Sequence, residues 1–202
     1  ILEAHRLWMA HGPCRQLLTG VCCVPFLLVG KAQDYRGAYV AGRHLLAVSE
    51  ARGYPHGASL TRYVHAVTAG HWVEPIEDIV PEFRRAREGL LQAGNMAFGA
   101  YTYQAADLLF DCAPTLDAAA AETEAGLAFA KHVQHSDFTK RYRPRRQLIR
   151  ALRGETQSAG SLSDADFDED DYLQALGGPG TNAVVFHLVR ALAAAIFGDA
   201  AT

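Results

Sequence analysis

The sequence predicts an all-α chain built from serial antiparallel helical hairpins. Three observations carry this. The chain has 35 alanines and 22 leucines in 202 residues, and both are strong helix formers. Apolar residues recur at helical spacing along most of its length. No segment alternates apolar and polar residues with period two between turn signals, as a half-buried strand would.

The stripes define the elements in order. Helices are expected near 2–10 and 14–29, the second holding the longest apolar stretch, Val21 to Gly30. That stretch carries Pro25 and is about half the roughly 20 residues a membrane span needs. Ala38, Ala41, Leu45 and Val48 share one face of a helix at 34–52, with Arg43 and Glu50 on the other side. Helices at 57–70 and 76–93 follow, then one at 96–112, striped by Tyr101, Ala105, Leu108, Leu109 and Cys112. Leu116, Ala120, Thr123, Leu127 and Ala130 mark a helix at 116–134, with Thr115 as its N-cap and Asp117 suited to its first turn. A basic helix at 137–153 and a last one at 181–197, striped by Val185, Leu188, Val189, Leu192 and Ile196, complete the series.

Glycines and prolines punctuate these helices. Gly30, Gly53, Gly94, Gly154 and Gly198 sit where left-handed C-caps favour glycine. Pro81 and Pro144 are expected as helix starts or as kinks near them. Most connections are a few residues long, so neighbouring helices pack antiparallel. Residues 154–180 are the exception: a flexible acidic and glycine-rich connection with a short helix near Asp170 to Leu176. The whole, 1–202, reads as a single helical array, an α-α superhelix of the tetratricopeptide (TPR) type, with a globular helix bundle as the alternative. The turn-helix phrases "AQDYRGAY", "AGNMAFGAY" and "IFGDAA" echo one another without a regular 34-residue period.

Charge and motifs narrow the function. The net charge is −3, which gives no global basic field for nucleic acid. The acidic run Asp164, Asp166, Asp168, Glu169, Asp170, Asp171 opens like a calcium loop, but it lacks the glycine at the sixth position and the glutamate at the twelfth. It reads as a solvated loop that caps the following helix. The basic run Lys140, Arg141, Arg143, Arg145, Arg146, Arg150, Arg153 reads as a solvated face partly neutralised by that loop. His132 and His135 share a helix face, but no metal motif accompanies them. "GGPGTN" at Gly177 to Asn182 lacks the lysine of a phosphate loop and reads as a turn, with Thr181 or Asn182 as N-cap. Cys14, Cys22, Cys23 and Cys112 form no C-x-x-C pair and are expected as reduced, packed thiols of a cytoplasmic protein. Trp72, in "GHWVEP", is expected to be buried between hairpins. No catalytic residue, cofactor site or metal site is assigned.

The segments "RGAYVAGRHLLAVSEARGYPHGASLTRYVHAVTAGHWVEPIED", "RRAREGLLQAGNMAFGAYTY", "LDAAAAETEAGLAFAK", "RRQLIRALRGET", "FDEDDYL" and "FHLVRALAAAIFGDAA" cover roughly residues 34–201. In order and phrasing they resemble the helical, TPR-like middle region of large bacterial multidomain regulators. In that family a serine/threonine-kinase-like domain and an AAA-type ATPase precede the region, and GAF and sensor histidine kinase modules follow it. The resemblance implies a fragment of a larger protein: a non-catalytic interaction or signal-relay segment. It carries over no functional residue, since Walker A, H-R-D and D-F-G motifs are all missing here. Its partners would be adjacent ATPase, GAF or kinase modules or a separate signalling protein, with homodimerisation as a further option and no membrane or nucleic acid. Arg62, Tyr63, His65, His71, Trp72, Tyr101 and Tyr103 are the candidates for an interaction groove, being of the residue types that form binding hot spots. The alternative function is small-molecule sensing in an interhelical pocket, suggested by the Tyr and His content of the helices at 57–70 and 96–112.

Overall fold

The computed structural model describes residues 1–198. Its regular elements are all helical: α1 (Leu2–His11), α2 (Arg15–Val21), α3 (Val24–Ala32), α4 (Tyr35–Ala51), α5 (Pro55–Thr68), α6 (Ile76–Gln92), α7 (Met96–Tyr101), α8 (Ala105–Cys112), α9 (Leu116–His132), α10 (Ser136–Leu152), α11 (Glu169–Ala175) and α12 (Thr181–Phe197). Single 3-10 turns lie at Gly70–Trp72 and Thr102–Gln104. No strand occurs among the described residues. The phrase "IFGDAA" runs past them, so Asp199 to Ala201 lie outside this description.

The chain divides into two compact units, Ile1–Ala113 and Pro114–Thr202, where the sequence reading drew one array. In the first unit, α5 packs against both α4 and α6, and α7 and α8 return along α6. Leu60, Val64, Ile79, Phe83 and Leu90 form its main core. Trp8, Leu18, Val21 and Leu45 form a second cluster beneath the N-terminal helices. In the second unit, α9 and α10 form a hairpin and α12 packs on α10. Leu148, Leu162, Phe167, Tyr172 and Phe186 are buried there.

Several expectations change. The helix expected at 14–29 is two helices. Pro25 has no N–H to offer the Val21 carbonyl, and its ring opposes that carbonyl, so the helix stops at Val21 and restarts with the proline in its first turn. Arg15–Ala32 is the one stretch among the described residues long and apolar enough to cross a membrane. It is broken at this joint, and its Leu18 and Val21 are buried against Trp8 and Leu45. The helix expected at 96–112 tightens to a 3-10 turn where the Thr102 hydroxyl bonds back to the Gly99 carbonyl at 2.6 Å. Gly30 lies inside α3, and Gln33 takes the left-handed C-cap, φ 53°. The N-cap of α12 is Gly180, and Asn182 donates instead to the Asp137 carbonyl at 3.4 Å.

Pro81 and Pro144 start nothing; both sit inside continuous helices. Pro144 leaves the Lys140 carbonyl without its helical donor. The Tyr172 hydroxyl, from α11, donates to that carbonyl. Burial pushes the Tyr172 phenol up to about 12, with the nearby Arg143 charge pulling the other way. The 154–180 segment, expected to be flexible, is therefore tied down. Leu162 and Phe167 are buried within it, and the buried Gln147 side chain donates to the Leu162 carbonyl at 2.9 Å and to Asp164 at 2.5 Å.

One construction recurs. The 17-residue helices α4, α6 and α9 begin at 35, 76 and 116, and each is followed three residues later by the next helix, at 55, 96 and 136. Each turn closes with the same pair of backbone bonds: Gly53 N–H to Glu50 and Tyr54 N–H to Ser49, Gly94 to Leu91 and Asn95 to Leu90, Gln134 to Lys131 and His135 to Ala130. The pivot is left-handed each time, φ 65° at Gly53, 74° at Gly94 and 53° at Gln134. The buried positions also coincide: Ala38, Ile79 and Ala119; Gly42, Phe83 and Thr123; Leu45, Ala86 and Gly126; Ser49, Leu90 and Ala130.

Candidate functional site

The seven expected groove residues do not share one surface. Tyr63 and Tyr103 are buried. Tyr63 sits among Phe83 (6.0 Å), Phe98 (5.9 Å) and Tyr101 (6.4 Å), ring centre to ring centre, and its hydroxyl donates to Gln104 at 3.0 Å. Tyr103 lies under the Arg87 guanidinium at 3.6 Å. Tyr63 of α5 thus packs on Phe98 and Tyr101 of α7. Arg62 spends its charge inside the fold, bridging Glu50 of α4 at 2.5 Å and Glu82 of α6.

His65 is buried at 3% exposure, and neither ring nitrogen has a hydrogen-bond partner. Gly42 gives its ring room, since a Cβ there would strike Nδ1, and Tyr39 lies 5.1 Å away. Burial lowers its pKa, with Glu74 and Glu82 opposing and Arg43 and Arg62 assisting. A histidine with a depressed folded pKa binds fewer protons folded than unfolded, so stability is full above the unfolded pKa of about 6.5 and is lost as pH falls below it. The expected result is a lower urea midpoint at pH 5.5 than at pH 7.5, with the His65 ring C–H resonance titrating below the free-imidazole value. A flat or inverted midpoint would contradict this.

Trp72 corrects the expectation of burial. It is 58% exposed, with its ring tilted against Tyr35 at 4.7 Å and His71 at 5.2 Å, centre to centre. The 3-10 turn after α5 explains its position. Ala69 and Gly70 pack inward, and the His71 ring is held to the Ala66 carbonyl at 3.2 Å, which leaves the indole outside. Tyr35, absent from the sequence candidates, completes this patch. Its spacing of 37 residues from Trp72 leaves no local signal.

Cys22 and Cys23 lie at the joint between α2 and α3, with their sulfurs 4.0 Å apart. Their mutual hydrogen bond draws the Cys23 thiol down to about 7 and pushes the buried Cys22 up. All four cysteines are free thiols. Only Cys22 is buried; Cys14, Cys23 and Cys112 are partly exposed. Among the described residues no group of three or more His, Cys, Asp or Glu is placed to hold a metal ion.

The acidic run is structural. Asp168 caps α11, accepting from the Asp170 and Asp171 N–H groups at 3.0 Å. Glu169 accepts from the Leu162 N–H at 2.7 Å and pairs with Arg190 at 3.2 Å. Asp164 pairs with Arg150 at 2.6 Å. Burial raises the Asp164 carboxyl, but Gln147, the Asp166 N–H, Arg150 and the Phe167 backbone together outweigh this and hold it low.

The basic run is more selective than a solvated face. Thr139, Arg143, Arg146, Arg150 and Arg153 fall at i, i+4, i+7, i+11 and i+14, on one face of α10. Two adjoining cavities, about 420 and 270 Å³, lie between this face and Ala120, Glu124, Leu127, Ala128 and Lys131 of α9. Arg143 spreads over Phe167 and Tyr172 (5.0 and 5.7 Å), Arg150 takes Asp164, and Arg153 takes Asp117 at 2.5 Å. Arg146, which lines both cavities, has a buried Nε with no acceptor. The arrangement can bind anions. Comparison of the chain with protein-family models, curated proteins and solved structures finds no match.

Proposed function

We propose that this chain is a non-catalytic protein-interaction or signal-relay module, with its tandem hairpins forming a TPR-like α-α superhelix. The observation that supports this is the hairpin repeated at 40 to 41 residues with one turn geometry and one buried register. In such arrays a hairpin spends one face on its neighbours and leaves the other for partners. The partner is an adjacent ATPase, GAF or kinase module of a longer cytoplasmic protein, or a separate signalling protein, in keeping with the family resemblance. The exposed Trp72–Tyr35 pair is the anchor, since tryptophan and tyrosine are enriched among binding hot spots.

The test is crosslinking in the source cell followed by mass spectrometry, wild type against Trp72→Ala. Crosslinks from the Trp72 region to such a module, lost in the variant, are expected. Crosslinks that reach no ATPase, GAF, kinase or other signalling protein in either form would overturn the reading.

A further inference from the structure

We infer that the groove between α9 and α10 docks an acidic helical segment of a partner protein, with Arg146 as its central contact. The inference rests on the interaction-module reading and adds the partner's chemistry.

The internal repeat supplies the argument. Hairpin one (α4–α5) and hairpin three (α9–α10) align with a constant offset of 81 residues. In hairpin one the seam between the helices is occupied: Tyr39 lies against His65, and Arg62 pairs with Glu50. The equivalent positions in hairpin three are Ala120 for Tyr39, Arg146 for His65, Arg143 for Arg62 and Lys131 for Glu50. The bulky ring is absent, and a lysine stands in place of Glu50, one of the two carboxylates paired with Arg62. A filled seam is replaced by an open one whose lining carries five cations against two carboxylates, Glu124 and Glu155. The acidic loop takes part of this charge but leaves Arg146 without a partner.

Geometry selects the occupant. Arg143, Arg146, Arg150 and Arg153 span about 15 Å along α10 at 1.5 Å per residue. Their 3-4-3 spacing is that of carboxylates on one face of a second α-helix. Leu127 and Ala128 give the groove an apolar floor, and small residues there let a helix approach closely. The lining holds no aromatic ring on which a nucleic-acid base would stack.

The experiment is a fluorescence-anisotropy titration of the full chain with a labelled 16-residue Ala/Leu helical peptide bearing Glu at positions 1, 4, 8 and 11. A Gln-for-Glu peptide, inorganic phosphate and a single-stranded RNA oligomer run as competitors. The Glu peptide should bind at least about tenfold more tightly than the Gln peptide, and weaken as salt rises. Arg146→Gln, which removes no hydrogen bond of the fold, should weaken it by about tenfold or more. Ala120→Tyr, which restores the ring of hairpin one, should block it. Equal affinity for the two peptides, no binding, unchanged affinity in Arg146→Gln, or tighter binding of RNA or phosphate would each overturn the inference. Trp72→Ala separates the two readings: it should leave peptide affinity unchanged, and its crosslinks bear on the interaction module alone.

Discussion

Replacing Phe83 by alanine should cost about 3–5 kcal/mol, the range for emptying a buried phenylalanine site. Phe83 is 2% exposed and lies in the core with Leu60, Val64, Ile79, Leu90 and Ala105. Its ring meets Tyr63 edge-on at 6.0 Å. The surrounding helices cannot close over the void, because α6 is held on one side by α5 and on the other by α7 and α8. Typical domains are stable by about 5–15 kcal/mol, so the loss is a large share of the whole. A urea unfolding curve measures it. A shift below about 1 kcal/mol would mean that the core re-forms around the gap and that Phe83 is not its centre.

Gln147→Leu should cost about 2–3 kcal/mol, through unmet hydrogen bonds rather than lost volume. The leucine fills similar space but donates nothing. The Leu162 carbonyl then has no donor from α10, and Asp164, whose side chain is 5% exposed, keeps Arg150 and the Asp166 N–H but loses Gln147. The consequence is local as well as global. Amide exchange should accelerate across residues 157–172 and leave the α9–α10 turn unchanged. Equal protection in variant and wild type would show that Glu169 and Tyr172 hold the segment without Gln147.

The periodicity of apolar residues located most helices. The segments expected at 34–52, 76–93, 116–134 and 137–153 lie within two residues of α4, α6, α9 and α10, and α12 occupies 181–197 as expected. Thr115 caps α9 as expected, because that signal is local. The apolar stripe runs through Pro25 and reads as one helix at 14–29, while the break after Val21 follows from the N–H that the proline lacks. The repeat itself was hidden by chemistry: one structural position holds Gly42, Phe83 and Thr123, which differ in size and polarity and share only burial. The groove was hidden for a related reason. Seven basic residues crowd one stretch, and which of them lacks a partner depends on Asp117, Glu155 and Asp164, which lie before and after the run. Trp72 followed the ordinary rule that a large ring is buried, and the 3-10 turn reversed it.

The three turns at Arg52-Gly53-Tyr54, Ala93-Gly94-Asn95 and Val133-Gln134-His135 are interchangeable parts. Each accepts a 17-residue helix and launches the next through the same backbone bonds, whatever side chains flank it. A chain cut and rejoined at two of these turns, 40 or 41 residues apart, would keep the same backbone bonds at the joint. Ala120 and Lys131 stand where the first hairpin has Tyr39 and Glu50, so the same joint carries two different seams.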